Sequence, residues 1–139
     1  MNTQTVEDDK HLTEILKSAK VIAVVGASPD SDRDSNHIMQ YLLDKGYDAI
    51  PVNPKYDKVL NKKCYPTVAS IGKPVDIVDV FRRSEFADEV AKDAVAAKAK
   101  AMWLQLGVIN EGAARYASEN GLKVVIDHCI MVEHRRLIR

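Results

Sequence analysis

Four cations follow the ends of three apolar runs: Arg33 in the loop after "VIAVVGA", Lys55 in "PVNPK", and Arg82 with Arg83 in "VDVFRR". If those runs are neighbouring strands of one sheet, the cations gather along one edge and suit an anionic ligand. The turn Gly26-Ala27-Ser28 adds backbone amides, and a helix opening at Ser35 adds the positive end of its dipole. That is chemistry for holding phosphate, and no base, nucleophile or metal set stands beside it.

The stretch "VVGASPDSDRDS", residues 24–35, departs from the dinucleotide fingerprint GxGxxG, because Ser28 and Ser31 stand where the second and third glycines belong. The loop is therefore wider than one gripping a pyrophosphate tightly. After the second run an NAD-type domain needs a carboxylate for the ribose hydroxyls, and this chain has Asn53-Pro54-Lys55. A lysine there suits a ribose carrying one more phosphate, as in NADP or the 3'-phosphorylated adenosine of coenzyme A. The plain alternative is a solvated lysine after a proline turn. Arg82 and Arg83 are adjacent and point different ways; Arg82 is the one expected to face a ligand, its neighbour being surface or paired with Asp79 or Glu85. Gln105 can hydrogen-bond a ligand amide, and Gly107 lets a chain pass closely. His128 and Cys129, as neighbours on an extended segment, face opposite ways and make a poor catalytic pair. Cys129 is either a small buried hydrophobe or a thiol in the crevice, able to form a mixed disulfide with a ligand thiol.

The pattern of elements that must position these residues is alternating. "HLTEILKSA" has helical spacing, "VIAVVGA" is a strand buried on both faces, and residues 35–45 form a helix capped by Ser35 and stopped by Gly46. "YDAIPVNP" is the second strand, and "NKKCYPTVASIG" an irregular excursion with a short helical turn at 68–71. "PVDIVDVFRR" is the third strand. Ser84 caps a helix with Phe86, Val90, Ala94 and Ala97 on one face, "KAMWLQLG" with a core Trp103 is the fourth strand, Asn110 caps a helix, and "LKVVID" is the fifth strand. The closing "CIMVEHRRLIR" reads as a short, basic, exposed segment. Strand–helix alternation argues an α/β, Rossmann-like, doubly wound parallel sheet of five strands in three layers, and the economical order is 3-2-1-4-5. Ligands bind such a sheet outside the carboxyl ends of its strands, where the order reverses, and Gln105 to Gly107 then lie opposite the first loop.

Composition narrows the classes. The 139 residues are enough for one domain spanning 1–139, and 46% hydrophobic residues supply a core. With 20 basic and 20 acidic residues, no bulk field draws the chain to nucleic acid or to membrane. The polar start "MNTQTVEDDK" has no signal-peptide pattern, so the expected location is the cytoplasm. Cys64 and Cys129 show no CxxC spacing and the four histidines no HxxxH pair, so no metal site is expected.

"VVGASPDSDRDS", "YLLDKGYDAIPVNPK", "CYPTVASI", "VDIVDVFRR" and "WLQLGVINEGAARYASENGLKVVIDHCI" together resemble the small single-domain CoA-binding proteins. These are similar to the CoA-binding domain of the succinyl-CoA synthetase α subunit. The resemblance implies CoA, or an acyl-CoA, as ligand. It places Ala27, Ser28 and Arg33 along the phosphates, Val52, Pro54 and Lys55 near the adenosine and its 3'-phosphate, Phe81 and Arg82 beside the nucleotide, and Gln105 and Gly107 at the pantetheine exit. Asp34 departs from it, since many relatives carry proline there. In the synthetases the ligase reaction needs further domains, so the resemblance implies a binding module without catalysis of its own: a carrier, sensor or regulatory partner. Two other readings stay open from the residues: an NADP-dependent oxidoreductase, and a non-catalytic partner subunit that docks an unidentified protein through "EHRRLIR".

Overall fold

The computed structural model describes residues 5–138; residues 1–4 of the polar start and Arg139 of the closing segment lie outside them. In chain order the elements are α1 (Asp9–Ser18), β1 (Val21–Val25), α2 (Asp34–Asp44), β2 (Asp48–Val52), β3 (Lys58–Val59), β4 (Lys62–Lys63), β5 (Ile77–Val80), α3 (Ala87–Ala96), β6 (Ala101–Leu104), α4 (Glu111–Glu119), β7 (Lys123–Val125) and α5 (Ile130–Leu137). The sheet strands are apolar on both faces and need cover on both sides. Ala23, Val25, Val78 and Val80 pack under α3 and α4, whereas Ile22, Val24, Ile77 and Trp103 pack under α1, α2 and α5. The three-layer, doubly wound parallel sheet expected from the alternation is present. No helix among the described residues is long and apolar enough to cross a membrane.

The strand order differs from the expected one. The sheet runs β2-β1-β5-β6-β7, so its five strands counted along the chain are ordered 2-1-3-4-5, with the third beside the first instead of outside the second. The excursion after β2 explains this. Its β3–β4 hairpin leads to Tyr65, which donates its amide to Pro51 O (3.0 Å) and accepts from Asn53 N (2.9 Å), closing the outer edge of β2. The approach to β5 is drawn to β1 by Asp76, whose carboxylate accepts from the amides of Lys20 (2.8 Å) and Val21 (2.9 Å). The order therefore reverses between β1 and β5, and the loops after those two strands flank the switch point.

Four local expectations also change. Ser35 does not cap α2: the cap is Arg33, without a side-chain bond, and Ser35 is buried in the first turn. Ser84 does not cap α3, which starts after a 3-10 turn at Ser84–Phe86; its Oγ instead accepts from Ile109 N (2.9 Å), tying the loop after β5 to the loop after β6. Phe86 stays exposed, and the covering face of α3 is Ala87, Val90, Ala91 and Ala94. The closing segment is a packed helix, because Ile130 and His134 turn inward while Arg136 binds both Asp9 (2.8 and 2.9 Å) and Glu133 (2.6 Å). Tyr41 Oη lies 2.8 Å from His134 Nδ1 and locks α5 against α2. By contrast, Asn110 caps α4 through Ala113 N (2.9 Å), and the short turn sits at Ala69–Ile71, both as expected.

Asp79 pairs with neither arginine. It is 0% exposed on β5, in register with Val24 and Trp103, and neither carboxyl oxygen has a hydrogen-bond partner among the described residues. Burial pushes its pKa well above the ordinary 3.8 and so favours the protonated, uncharged acid within the sheet.

Candidate functional site

At the carboxyl ends of the strands a cleft of about 880 Å³ opens between the loops after β1, β2, β5, β6 and β7, on the α2–α5 side of the sheet. A second lobe of about 530 Å³ lies on the α3 side. Gly26, Asn53 and Lys55 line both, forming the ridge between them. A smaller cavity of about 240 Å³, lined by His11, Asp76 and Lys100 among others, lies under α1 and takes in none of the predicted residues.

Hydrogen bonds shape the ridge. Gly26 N donates to Val52 O (2.9 Å), Asn53 Nδ2 to Ala27 O (3.0 Å), and Lys55 N to Asn53 Oδ1 (3.0 Å). Asn53 is thus a strut that fixes the first loop and Lys55 relative to each other, a role not evident from its place after a strand. Below it, buried Cys64 donates its thiol to Asn53 O (3.4 Å). Gly26 has φ +90°, and a Cβ there would stand 3.3 Å from both Arg82 Cγ and the Phe81 carbonyl carbon. Gly26→Ala is therefore expected to lower stability by about 1–2 kcal/mol from the left-handed backbone alone. Urea unfolding checks it, and an unchanged midpoint would show that the turn tolerates a side chain.

The first loop is braced from within. Ser28 Oγ accepts from Asp30 N (3.1 Å), Asp30 Oδ1 from Asp32 N (2.9 Å), and Asn36 Nδ2 donates to Ser28 O (2.9 Å). The amides of Ala27, Ser28, Asp34 and Ser35 find no acceptor among the described residues. Open amides at the start of an eleven-residue helix favour an anion. Arg33 and Lys55 line the same cleft and make no ion pair among the described residues. Asp32 and Asp34 line it too, so the two acidic and two basic side chains of the cleft balance and the amides supply the bias.

The predicted residues divide as follows. The cleft takes Ser28, Arg33, Ser35, Phe81 and Gln105, the second lobe takes Val52, Pro54 and Arg82, and Gly26, Asn53 and Lys55 belong to both. Arg82 lies over the Phe86 ring, 4.6 Å from its centroid, with Glu89 at 3.9 Å. Three residues stand apart. Ala27 is fully buried, leaving only its backbone to act; Arg83 points to solvent beside Glu85 (3.8 Å); Gly107 lies outside both lobes, its amide held by Asp127 Oδ1 (2.6 Å). Gln105 faces the cleft, its Oε1 accepting from Ile130 N (3.0 Å) and its Nε2 without an acceptor among the described residues. Cys129 lines the cleft, while Trp103 is core, donating to His128 O (2.8 Å). Sequence reasoning missed Pro66 and Thr67 in the second lobe and Tyr56, Leu106, Met131 and Val132 in the cleft, because such side chains, in loops or at the start of α5, carry no chemical signal until the fold brings them together.

The model of the CoA_binding_2 family, a CoA binding domain, matches residues 20–135. The chain belongs to that family. The matched span of this CoA-binding domain contains all five sheet strands and both lobes of the crevice. The Bacillus subtilis (strain 168) protein YneT is 42% identical over 123 residues, covering 88% of this chain and 91% of YneT. A solved structure from Pyrococcus horikoshii OT3 matches with a TM-score of 0.94 and 42% identity over 100% of this chain and 99% of that one. The ADP-forming acetate–CoA ligase I of Archaeoglobus fulgidus is 26% identical over 121 residues, 80% of this CoA-binding domain but 18% of the ligase. The chain thus corresponds to a small part of that enzyme.

Proposed function

We propose that this chain is a cytosolic module that binds coenzyme A or a short acyl-CoA at the switch point, without chemistry of its own. The observation that carries the reading is the ridge of Gly26, Asn53 and Lys55 between two lobes, with unpartnered amides at the start of α2, in a chain of the CoA-binding family. A nucleotide with two bulky ends joined by phosphates fits two lobes joined over a glycine. The adenosine lies in the lobe of Val52, Pro54 and Arg82. The diphosphate crosses Gly26 to the amides of Ala27, Ser28, Asp34 and Ser35, and Lys55 meets the 3'-phosphate. Ser28 and Arg33 lie along the diphosphate, and the pantetheine arm runs into the larger cleft past Phe81 and Gln105.

The test is equilibrium dialysis of nucleotide-stripped protein with CoA, with NADPH as competitor. One CoA bound per chain and not displaced by NADPH supports the reading; NADPH bound while CoA is not would overturn it. Acyl transfer from acetyl-CoA above a protein-free control would overturn the absence of chemistry.

Asp34 makes a further prediction. Its carboxylate benefits from the α2 dipole but repels a phosphate at the same amides. Asp34→Asn is expected to tighten CoA binding about 2- to 5-fold at low salt, the equivalent of the ~0.3–1 kcal/mol that one charge near a helix end contributes. Titration at two salt concentrations checks this, and unchanged affinity at low salt would place the phosphates away from the start of α2.

A further inference from the structure

Every charged side chain of the large cleft comes from the loops after β1 and β2 or the first turn of α2: Asp32, Arg33, Asp34 and Lys55. The wall beyond, from the loops after β5, β6 and β7 and the start of α5, carries no charged side chain among the described residues. Phe81, Leu106, Val108, Cys129, Met131 and Val132 stand there with the Gln105 amide, whose oxygen accepts from Ile130 N. Along the sheet order β2-β1-β5-β6-β7 the charged lining of this cleft stands over β2 and β1 and its apolar lining over β5 and beyond, a span of about 14 Å from β2 to β6 at ~4.8 Å per strand. Among the large hydrophobic side chains that stand exposed, Leu106 (69%) and Val132 (50%) lie at the uncharged end of this cleft. Scattered apolar residues on a surface need no explanation, but two exposed ones that share one cavity with Phe81, Val108 and Met131 make that end of it mainly apolar.

We propose that the cleft takes CoA as the thioester of an uncharged aliphatic acid, with the acyl chain laid against Leu106, Met131 and Val132. The proposal rests on the CoA reading and extends it to the ligand class. With the phosphates at the charged end, the arm leads toward the apolar end, where a free thiol leaves the wall wet. An acyl chain covers it. A dicarboxylic acyl group brings a carboxylate to a wall with no cation among the described residues, at a desolvation cost that this lining does not offset.

Calorimetric titration with CoA, hexanoyl-CoA and succinyl-CoA tests this. A fully buried methylene contributes about 4-fold in affinity, so a half-covered hexanoyl chain is expected to bind at least ~10-fold more tightly than CoA. Succinyl-CoA is expected to bind no more tightly than CoA. In a Leu106→Ser, Val132→Ser double variant the ratio of hexanoyl-CoA to CoA affinity is expected to fall to about 1, a readout that ordinary loss of stability does not produce. CoA binding with no gain from the hexanoyl chain would overturn this inference while leaving the CoA reading intact; failure of CoA and hexanoyl-CoA alike would overturn both. Sedimentation of the same variant decides against the other occupant of such a wall. A wild-type dimer that becomes a monomer in the variant would assign Leu106 and Val132 to a second copy of the chain and overturn the proposal.

Discussion

Exchange of Lys55 for alanine is expected to weaken CoA binding by about 1–2 kcal/mol, roughly 5- to 30-fold, and to leave binding of 3'-dephospho-CoA nearly unchanged. The lysine is exposed, so the figure lies below the ~1.5–3 kcal/mol of a charge-assisted hydrogen bond. Its backbone is held by Asn53 Oδ1, and its ammonium makes no ion pair among the described residues. The variant therefore breaks no internal contact of the side chain, and its effect reports the ligand. The two ligands and two proteins form a cycle in which the 3'-phosphate and the lysine are removed separately and together. A coupling near the full loss assigns Lys55 to that phosphate. Equal losses for both ligands would assign it to the diphosphate, and no loss for either would remove Lys55 from the site.

Asp79→Ala is expected to stabilise the fold by about 1–3 kcal/mol at pH 7, the magnitude of one buried group left without partners. Most core truncations destabilise, but here the lost atoms are two unsatisfied oxygens between Val24 and Trp103. The pH dependence identifies the cause. Burial raises the folded pKa well above 3.8, so over the interval above 3.8 the folded chain keeps a proton that the unfolded chain releases. The contribution of Asp79 is fully present below pH 3.8 and declines as pH rises toward the folded pKa, by at most ~1.4 kcal/mol per pH unit. Other carboxylates act in the opposite sense; the Lys73 ammonium bonded to Asp48 holds that carboxyl below its usual range. The difference between wild type and variant isolates Asp79. Urea unfolding at pH 5 and pH 8 is expected to show the gain from Asp79→Ala growing with pH. Asp79→Asn, which keeps the shape but cannot ionise, is expected to remove the same pH term. Parallel pH curves for all three proteins would show that Asp79 does not carry the buried proton.

The strands were legible because doubly buried strands are written as unbroken apolar runs, and the charged end of the crevice because a glycine and cations follow three of those runs, at the strand ends where such a sheet takes its ligand. Strand order was not legible. It depends on Tyr65 closing the edge of β2 and on Asp76 holding the amides before β1, and neither contact is local in sequence. The closing helix was missed for the same reason, since Glu133, His134 and Arg136 look like a solvated run until Asp9 and Tyr41 are brought to them. The apolar wall was missed because Leu106, Met131 and Val132, taken singly, are indistinguishable from packing residues. Asp79 has no signature either: "VDIVDVF" does not reveal that one aspartate caps amides and the other stays alone.

The central claim is that the crevice at the β1–β5 switch holds the phosphates of CoA, and amide NMR of 15N-labelled protein titrated with CoA tests it most directly. The account predicts that the largest shifts fall on Gly26, Ala27, Ser28, Asp34, Ser35 and Lys55, saturating at one CoA per chain. Shifts confined to the cavity under α1, at residues such as His11, Asp76 and Lys100, would contradict it.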